Sequence, residues 1–412
     1  MGASQISSYD IAVVGGGLVG ASVACALEPL GYRVLLVEQV PFQTSAQPSY
    51  DDRTLALSNS SCQILRGLQL WPGLQAHATP IREVIVSELH RPGRVVLQAS
   101  EMGLAALGHV VEARAFGGVA LTRLAQLGGL DIRCPAAVAG IEVNEDCVRL
   151  TLREGEQQTS VSARLLVAAD GAASAVRRLL GIPAFTRDYG QTAVICNITP
   201  EQHHDGRAFE RLTRSGPFAV LPYTGDRCGL VWSVPSGDAD ALLGLAEPEF
   251  IARAQQRFGQ ALGRFLKIGK RSAYPVKLVR AETDLHRRTV ILGNAAHAIH
   301  PVGAQGFNLG LRDVAVLAEV LSGAAHADPG AADGLSAYSE WRRPDQAETI
   351  AWTDGMARLF ANPSPAAALL RSAGLILHAV VPPMRRRLAS QAMGYHERVP
   401  RLAMGLPLDG HR

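Results

Sequence analysis

Apolar residues in this chain come in short runs, and glycines cluster where the spacing changes from strand-like to helix-like. An uninterrupted run from Asp10 to Val14 predicts a buried strand, followed by Gly15-Gly16-Gly17-Leu18-Val19-Gly20, an alanine-rich helix to about Leu30 and a second strand over Arg33 to Val37. An acidic turn at Asp51-Asp52 precedes Arg53 and a helical apolar pattern that runs through Leu70. Alternation over Val84 to Leu89 and Val95 to Leu97 predicts a hairpin across Arg91-Pro92-Gly93. Val110 to Glu112 leads through Arg114 into a helix ending near Gly128, and strands follow at Ala137 to Val143, Val148 to Leu152 and Leu165 to Ala168. Gln191 to Ile198, Phe218 to Leu221 and Cys228 to Val234 predict a second sheet, and Arg271 to Val279 returns the chain from it.

The most informative stretch is Thr289 to Leu321. Its order is the end of a buried strand, a break at Gly293-Asn294, a glycine-rich loop from Pro301 to Gly306, and a helix from about Asn308. Leu311, Val314, Ala318 and Leu321 fall on one face of that helix, which leaves Arg312 and Glu319 to face outward, and Gly323 stops it. The remaining chain predicts helices over Leu335 to Phe360, interrupted at Pro344, over Pro365 to Val381, and from Met384 onward.

With 412 residues, 47% hydrophobic and 19% charged, the chain has enough apolar material for a sizeable core and two domains. A net charge of +3 is too mild to argue for nucleic acid. None of the six cysteines forms a C-x-x-C pair, which predicts reduced thiols in a cytoplasmic protein and no metal site. The N-terminus lacks a basic region before its first apolar run, so no signal peptide is expected, and no uncharged run reaches the roughly 18 residues of a spanning helix.

Three motifs carry chemistry. Gly15, Gly17 and Gly20 form G-x-G-x-x-G between a strand and a helix, and Glu38 ends the next strand where a carboxylate accepts from a ribose diol. That combination binds the adenosine and pyrophosphate of a dinucleotide, either FAD or NAD. Asp170-Gly171 closes a later strand, with Ser174 and Arg177 three residues apart beyond it. The helix after the Pro301 loop presents its first amides and positive dipole end to whatever lies in front, which favours an anion.

In that order the three motifs resemble the class A flavoprotein monooxygenases of the hydroxybenzoate hydroxylase type. Asp51 to Ser58, Tyr189-Gly190-Gln191, Phe209-Glu210-Arg211, Trp341-Arg342-Arg343-Pro344 and Thr353-Asp354-Gly355 look like the ubiquinone-biosynthesis hydroxylases, most of all their 2-polyprenyl-6-methoxyphenol hydroxylase branch. The likeness spans nearly the whole chain. It implies an α/β fold in which a Rossmann-like FAD-binding domain of the glutathione-reductase type (residues 1–72, 104–184 and 278–345) is interleaved with a mixed-sheet substrate domain (73–103 and 185–277). A C-terminal helical segment (346–412) follows.

The resemblance implies FAD held by Gly15, Gly17, Gly20, Glu38, Arg53, Arg114, Asp170, Gly171, Asn294, Pro301, Gly303, Gln305, Gly306, Phe307 and Asn308, with NADPH or NADH as electron donor. It implies hydroxylation of a polyprenylated phenol with O2 through a flavin C4a-hydroperoxide, alongside other ubiquinone-biosynthesis proteins. A phenol with a pKa of about 10 calls for a base or polar relay, for which His297, His300 and Tyr223 are candidates, while Arg53 lies against the flavin by resemblance. The apolar-then-basic segment 366–387 suits the inner face of an anionic membrane as well as it suits packing on its own protein. A soluble aromatic or polyketide substrate, or a non-catalytic FAD-bearing scaffold, are the other readings.

Overall fold

A computed structural model of the chain describes residues 7–42, 51, 53–323, 328–395 and 398–408, so Asp52 of the acidic turn lies outside the described residues. Two large sheets and one small one organise them. At the heart of the first sheet, Val34–Val37, Ser7–Val14, Gln157–Ala168 and Thr289–Ile291 run side by side and parallel. Leu130–Arg133 adds a further parallel strand beyond Val34–Val37, and Ala137–Val143 and Val148–Glu154 fold back antiparallel on the long Gln157–Ala168 strand. The central strands are buried on both faces, which is why they read as continuous apolar runs.

The second sheet is mostly antiparallel and runs from His297–Ala298 through Ser272–Ala281, Ala184–Pro200, Cys228–Pro235, Gly216–Pro222 and Arg207–Thr213 to the predicted hairpin, Glu83–Glu88 with Arg94–Gln98. One face is closed by the Glu247–Phe258 helix over an aromatic cluster of Phe218, Trp232, Phe250 and Phe258. The stretch that begins at Thr289 ties the two sheets together. Thr289–Ile291 lies in the first and His297–Ala298 in the second, with one tight turn between them.

The Gly306–Gly323 helix starts two residues before Asn308 and is buried nearly all round, as its apolar content requires. Three expectations are corrected. Arg312 does not face outward: it is buried, because Asp345 and Thr349 on the next helix receive its guanidinium. Thr54–Ser58 is a strand paired with Gly108–Glu112, and the helix begins only at Asn59, with the Ser58 hydroxyl capping it through Ser61 N–H. The Ala332–Ala361 helix runs through Pro344 without interruption, clamped to the Gly306–Gly323 helix by ion pairs from Arg342 and Asp345 on either side of the proline.

Candidate functional site

The register of the first sheet aligns four strand ends. Val14 pairs with both Val37 and Ala168, and Ala168 pairs with Ile291. The residues just past each strand are therefore delivered to one edge: Gly15 after Val14, Glu38 after Val37, Ala169-Asp170 after Ala168, and Leu292-Gly293-Asn294 after Ile291. The carboxyl edge of a parallel sheet is where open α/β folds bind ligands. The three sequence-distant motifs are thus one site, made by strand register.

The glycines leave no room for side chains. Gly15 sits at φ +102°, and a Cβ there would lie 2.5 Å from the Ala169 carbonyl oxygen; on Gly20 it would lie 1.8 Å from the Gly15 carbonyl oxygen. Bare backbone is therefore what the first turn offers a ligand. Glu38 is fixed beside it, one oxygen accepting from Gly16 N–H at 2.6 Å and the other from Val40 N–H at 2.7 Å. Asp170 Oδ2 accepts from the amides of Ala175 and Val176, while its Oδ1 is buried without a hydrogen-bond partner among the described residues. An orphaned carboxylate oxygen beside a glycine cradle fits a ligand that brings hydroxyl groups, as a dinucleotide does. The expected helical side shared by Ser174 and Arg177 is a cap: Ser174 Oγ accepts from Arg177 N–H at 3.0 Å. The Arg177 guanidinium reaches on to the Ala295 carbonyl, tying the second motif to the third.

The third motif is braced from below. Asp313 is fully buried; Oδ2 accepts from Gly293 N–H and contacts His297 Nε2 at 2.6 Å, and Oδ1 accepts from Arg342 Nε at 2.8 Å. Burial alone would raise this carboxyl, but His297 and Arg342 outweigh it and hold it well below the usual carboxylate range. Asn294, at the tip of the turn, is exposed toward the strand-end edge. Asn308 is not a cap. Its amide accepts from Ser58 N–H and donates to the Ala56 and Ala304 carbonyls, locking the loop to the small sheet. Gln305 donates to the Gly303 carbonyl, and Phe307 packs edge-on against Phe116. Leu309 N–H bonds back to the Gln305 carbonyl, so the amides of 306–308 precede the helical ladder and point along the dipole toward the site.

Beside this loop lies a cavity of about 500 Å³. Its walls come from the second sheet (Val84, Ala208, Leu221), the loop (Val302 to Gln305), the Ala332–Ala361 helix (Trp352, Met356, Phe360) and the two C-terminal helices (Leu375, Leu388, Met393). They are overwhelmingly apolar. The structure does not bring the predicted proton-transfer residues to these walls. His300 is buried behind the loop with Nδ1 accepting from Val302 N–H and Nε2 against Gln191 Oε1, and burial pushes its imidazole down to about 4. With both nitrogens engaged, His300 braces the loop and holds no position against the cavity. Tyr223 packs among Ile81, Val110 and Leu221 under Arg227, and His297 belongs to the Asp313 brace. Arg53 lies over the Tyr274 ring with its Nε 2.8 Å from Asp51, whose other oxygen accepts from the Tyr274 hydroxyl. Arg114 is exposed on the first turn of the Ala113–Leu124 helix, with its backbone N–H on the Asp51 carbonyl.

An acidic group does line the cavity, and the motifs gave it no chemical role: Glu210. Strand parity could have found it, because Ala208, Glu210 and Leu212 alternate onto the face opposite Phe209.

A dinucleotide cradle at a parallel-sheet edge, joined to an apolar cavity under a second sheet, is the frame of a dinucleotide-dependent enzyme, and its relatives make that enzyme an FAD-dependent monooxygenase. The chain belongs to the FAD-binding-domain family, whose model matches residues 8–353, and within it to the ubiquinone hydroxylases. It is 37% identical to the ubiquinone hydroxylase UbiL of Rhodospirillum rubrum over 97% of this chain and 93% of that protein. It is also 29% identical to the 3-demethoxyubiquinol 3-hydroxylase of Escherichia coli (93% of this chain, 98% of that one) and 27% identical to the human mitochondrial ubiquinone biosynthesis monooxygenase COQ6 (95% and 94%). Among solved structures, p-nitrophenol 4-monooxygenase from Pseudomonas putida shares the fold with a TM-score of 0.78 at 20% identity, covering 96% of this chain and all of that one.

Proposed function

We propose that this chain hydroxylates a polyprenylated phenol of ubiquinone biosynthesis, of the 2-polyprenyl-6-methoxyphenol kind, with FAD, NAD(P)H and O2. The single observation that carries the reading is the cavity. Its volume suits a phenol head with several prenyl carbons, and its walls offer an apolar tail what a soluble aromatic acid would not want. The chemistry supplied by bound FAD is two-electron transfer from NAD(P)H to O2, one oxygen atom entering the ring and the other leaving as water.

The residues have separable tasks. Gly15, Gly17, Gly20 and Glu38 would hold the adenosine end of FAD, and Asp170 and Asn294 would hold its middle. The Gly306–Asn308 amides would stabilise the negative charge that a flavin ring develops on reduction. The second sheet and the Trp352–Phe360 face of the long helix keep water from the reacting atoms.

Supply of the substrate follows from the C-terminal helices. Pro365–Val380 and Pro382–Ala392 meet at a 99° bend, and among the described residues no single helix is long and apolar enough to cross a membrane. Leu375 and Leu388 line the cavity, while Leu369 and Val380 are 72% and 67% exposed on the same helix pair, with Arg386 and Arg387 exposed nearby. A surface that joins bare leucines to arginines fits shallow insertion into an anionic membrane face, with the cavity opening behind it.

The test is FAD-loaded protein offered short-chain prenylated phenols and, separately, soluble aromatic acids. Stimulated NAD(P)H oxidation with product carrying one added oxygen is expected for the prenylated phenols alone. Turnover of the acids without any response to prenylated phenols would replace this reading with the soluble-substrate one.

A further inference from the structure

We propose that the Glu210 carboxylate is the proton acceptor for the phenolic hydroxyl in the cavity. The inference rests on the phenol-hydroxylating reading above. Glu210 sits mid-strand in Arg207–Thr213, between Ala219 and Val86 on the neighbouring strands, and its side chain lines the cavity between Ala208 and Leu212. Oε1 is buried with no hydrogen-bond partner among the described residues, so the protein leaves this carboxyl only partly satisfied. The carboxyl lies against the Gly303 backbone N–H, which sets it beside the very loop that precedes the Gly306–Gly323 helix.

A structural role accounts poorly for this side chain. Three other buried carboxylates have cationic partners: Asp313 has Arg342, Asp345 has Arg312, and Glu88 has Arg371. Glu210 has no such ion pair among the described residues. Leaving a polar group unsatisfied costs about 1 to 3 kcal/mol, which an apolar residue of similar size would avoid. The surrounding titratable groups have partners of their own, although Glu88 Oε2 and Nη2 of Arg371, which also lines the cavity, have none among the described residues. On the adjoining strand Glu88 is bound to Arg371, on the long helix Asp354 is bound to Arg187, and His378 Nδ1 lies on the Gly374 carbonyl. Burial pushes the Glu210 carboxyl up to about 7, with Gly303 N–H pulling the other way. A base near neutrality is poised both to accept a phenolic proton and to return it.

The step balances without a redox partner. The phenol O–H bond breaks, its electron pair stays on the ring oxygen, and the proton forms the Glu210 carboxylic acid. The ring is thereby made electron-rich for oxygen insertion, and the proton is later returned to the product oxygen.

The experiment uses FAD-loaded wild type, Glu210→Gln and Glu210→Asp, a short-chain prenylated phenol and its O-methyl ether. Binding is followed from pH 5.5 to 9 by perturbation of the flavin spectrum, and kcat/KM over the same range. Wild type is expected to bind the phenol with a break near pH 7 that the ether lacks, and to gain kcat/KM as pH rises through it. Glu210→Gln should lose the break, bind the ether as wild type does, and fall by about 100-fold or more in phenol turnover. Glu210→Asp should keep a break and recover part of the rate; it also serves if the Gln variant does not fold. An unchanged pH profile and rate in Glu210→Gln overturns the assignment. No response of wild type to any prenylated phenol would instead overturn the phenol reading beneath it.

Discussion

Asp345→Ala should destabilise the protein more than any other single carboxylate removal on the Ala332–Ala361 helix, because it takes a carboxylate from two buried guanidinium groups at once and strands one of them. Asp345 holds Arg312 by two bonds, Nε to Oδ2 at 2.7 Å and Nη2 to Oδ1 at 3.1 Å, and also holds Arg342 Nη1. Both arginines are at most 2% exposed, so water cannot replace the lost oxygens. Arg342 keeps Asp313, but Arg312 is left with only the Thr349 hydroxyl, and its Nη1 has no partner among the described residues. Breaking a buried pair from one side costs about 3 to 5 kcal/mol, a large share of the roughly 5 to 15 kcal/mol that a folded domain has. The assay is urea unfolding of apoprotein followed by circular dichroism, since bound FAD would add its own linkage term. Arg149→Ala is the control: its partner Glu142 is 3.3 Å away, but the side chains are 45% and 70% exposed, and such pairs are worth at most about 1 kcal/mol. A loss in Asp345→Ala no larger than in Arg149→Ala would refute the claim that these charges are sealed from solvent.

Gly20→Ala puts a methyl group 1.8 Å from the Gly15 carbonyl oxygen, so the first turn must open; at an overpacking cost of about 1 to 3 kcal/mol, FAD affinity should fall roughly 5- to 150-fold, read by flavin fluorescence on titration with FAD. Arg53→Ala removes the cation over Tyr274 and should leave FAD bound while uncoupling NAD(P)H oxidation from hydroxylation, measured as peroxide released per product formed; unchanged coupling rejects a gating role. Leu369→Glu with Val380→Glu should abolish co-sedimentation with anionic phospholipid vesicles and leave turnover of a short-chain phenol in detergent at the wild-type level, since neither residue lines the cavity. Wild type that ignores anionic vesicles removes the case for membrane contact.

What the sequence disclosed and what it hid divide by the range of the interactions involved. The strand ends and the first glycine turn are legible because an apolar run, a glycine and a following helix are local facts, and a parallel strand buried on both faces has no choice but to be apolar. Thr54–Ser58 misled because Leu55 and Leu57 fit alternation and also continue a helical pattern; the tie is broken by Gly108–Glu112, some fifty residues away, whose backbone supplies the ladder. Arg312 misled for a similar reason. A lone arginine on an apolar helix reads as solvated, and only the arrival of Asp345 thirty-three residues later makes its burial tolerable. Pro344 ought to interrupt its helix, yet Arg342 and Asp345 anchor the turns around it to Asp313 and Arg312, so tertiary contacts override a local penalty. Glu210 differs from all of these. Its strand, Arg207–Thr213, went unread, and a charged residue on a cavity-facing position looks like an error until the fold shows that no cation among the described residues pairs with it. That is where consistency across levels breaks, and such breaks concentrate at sites where a ligand completes the pairing that the chain leaves open.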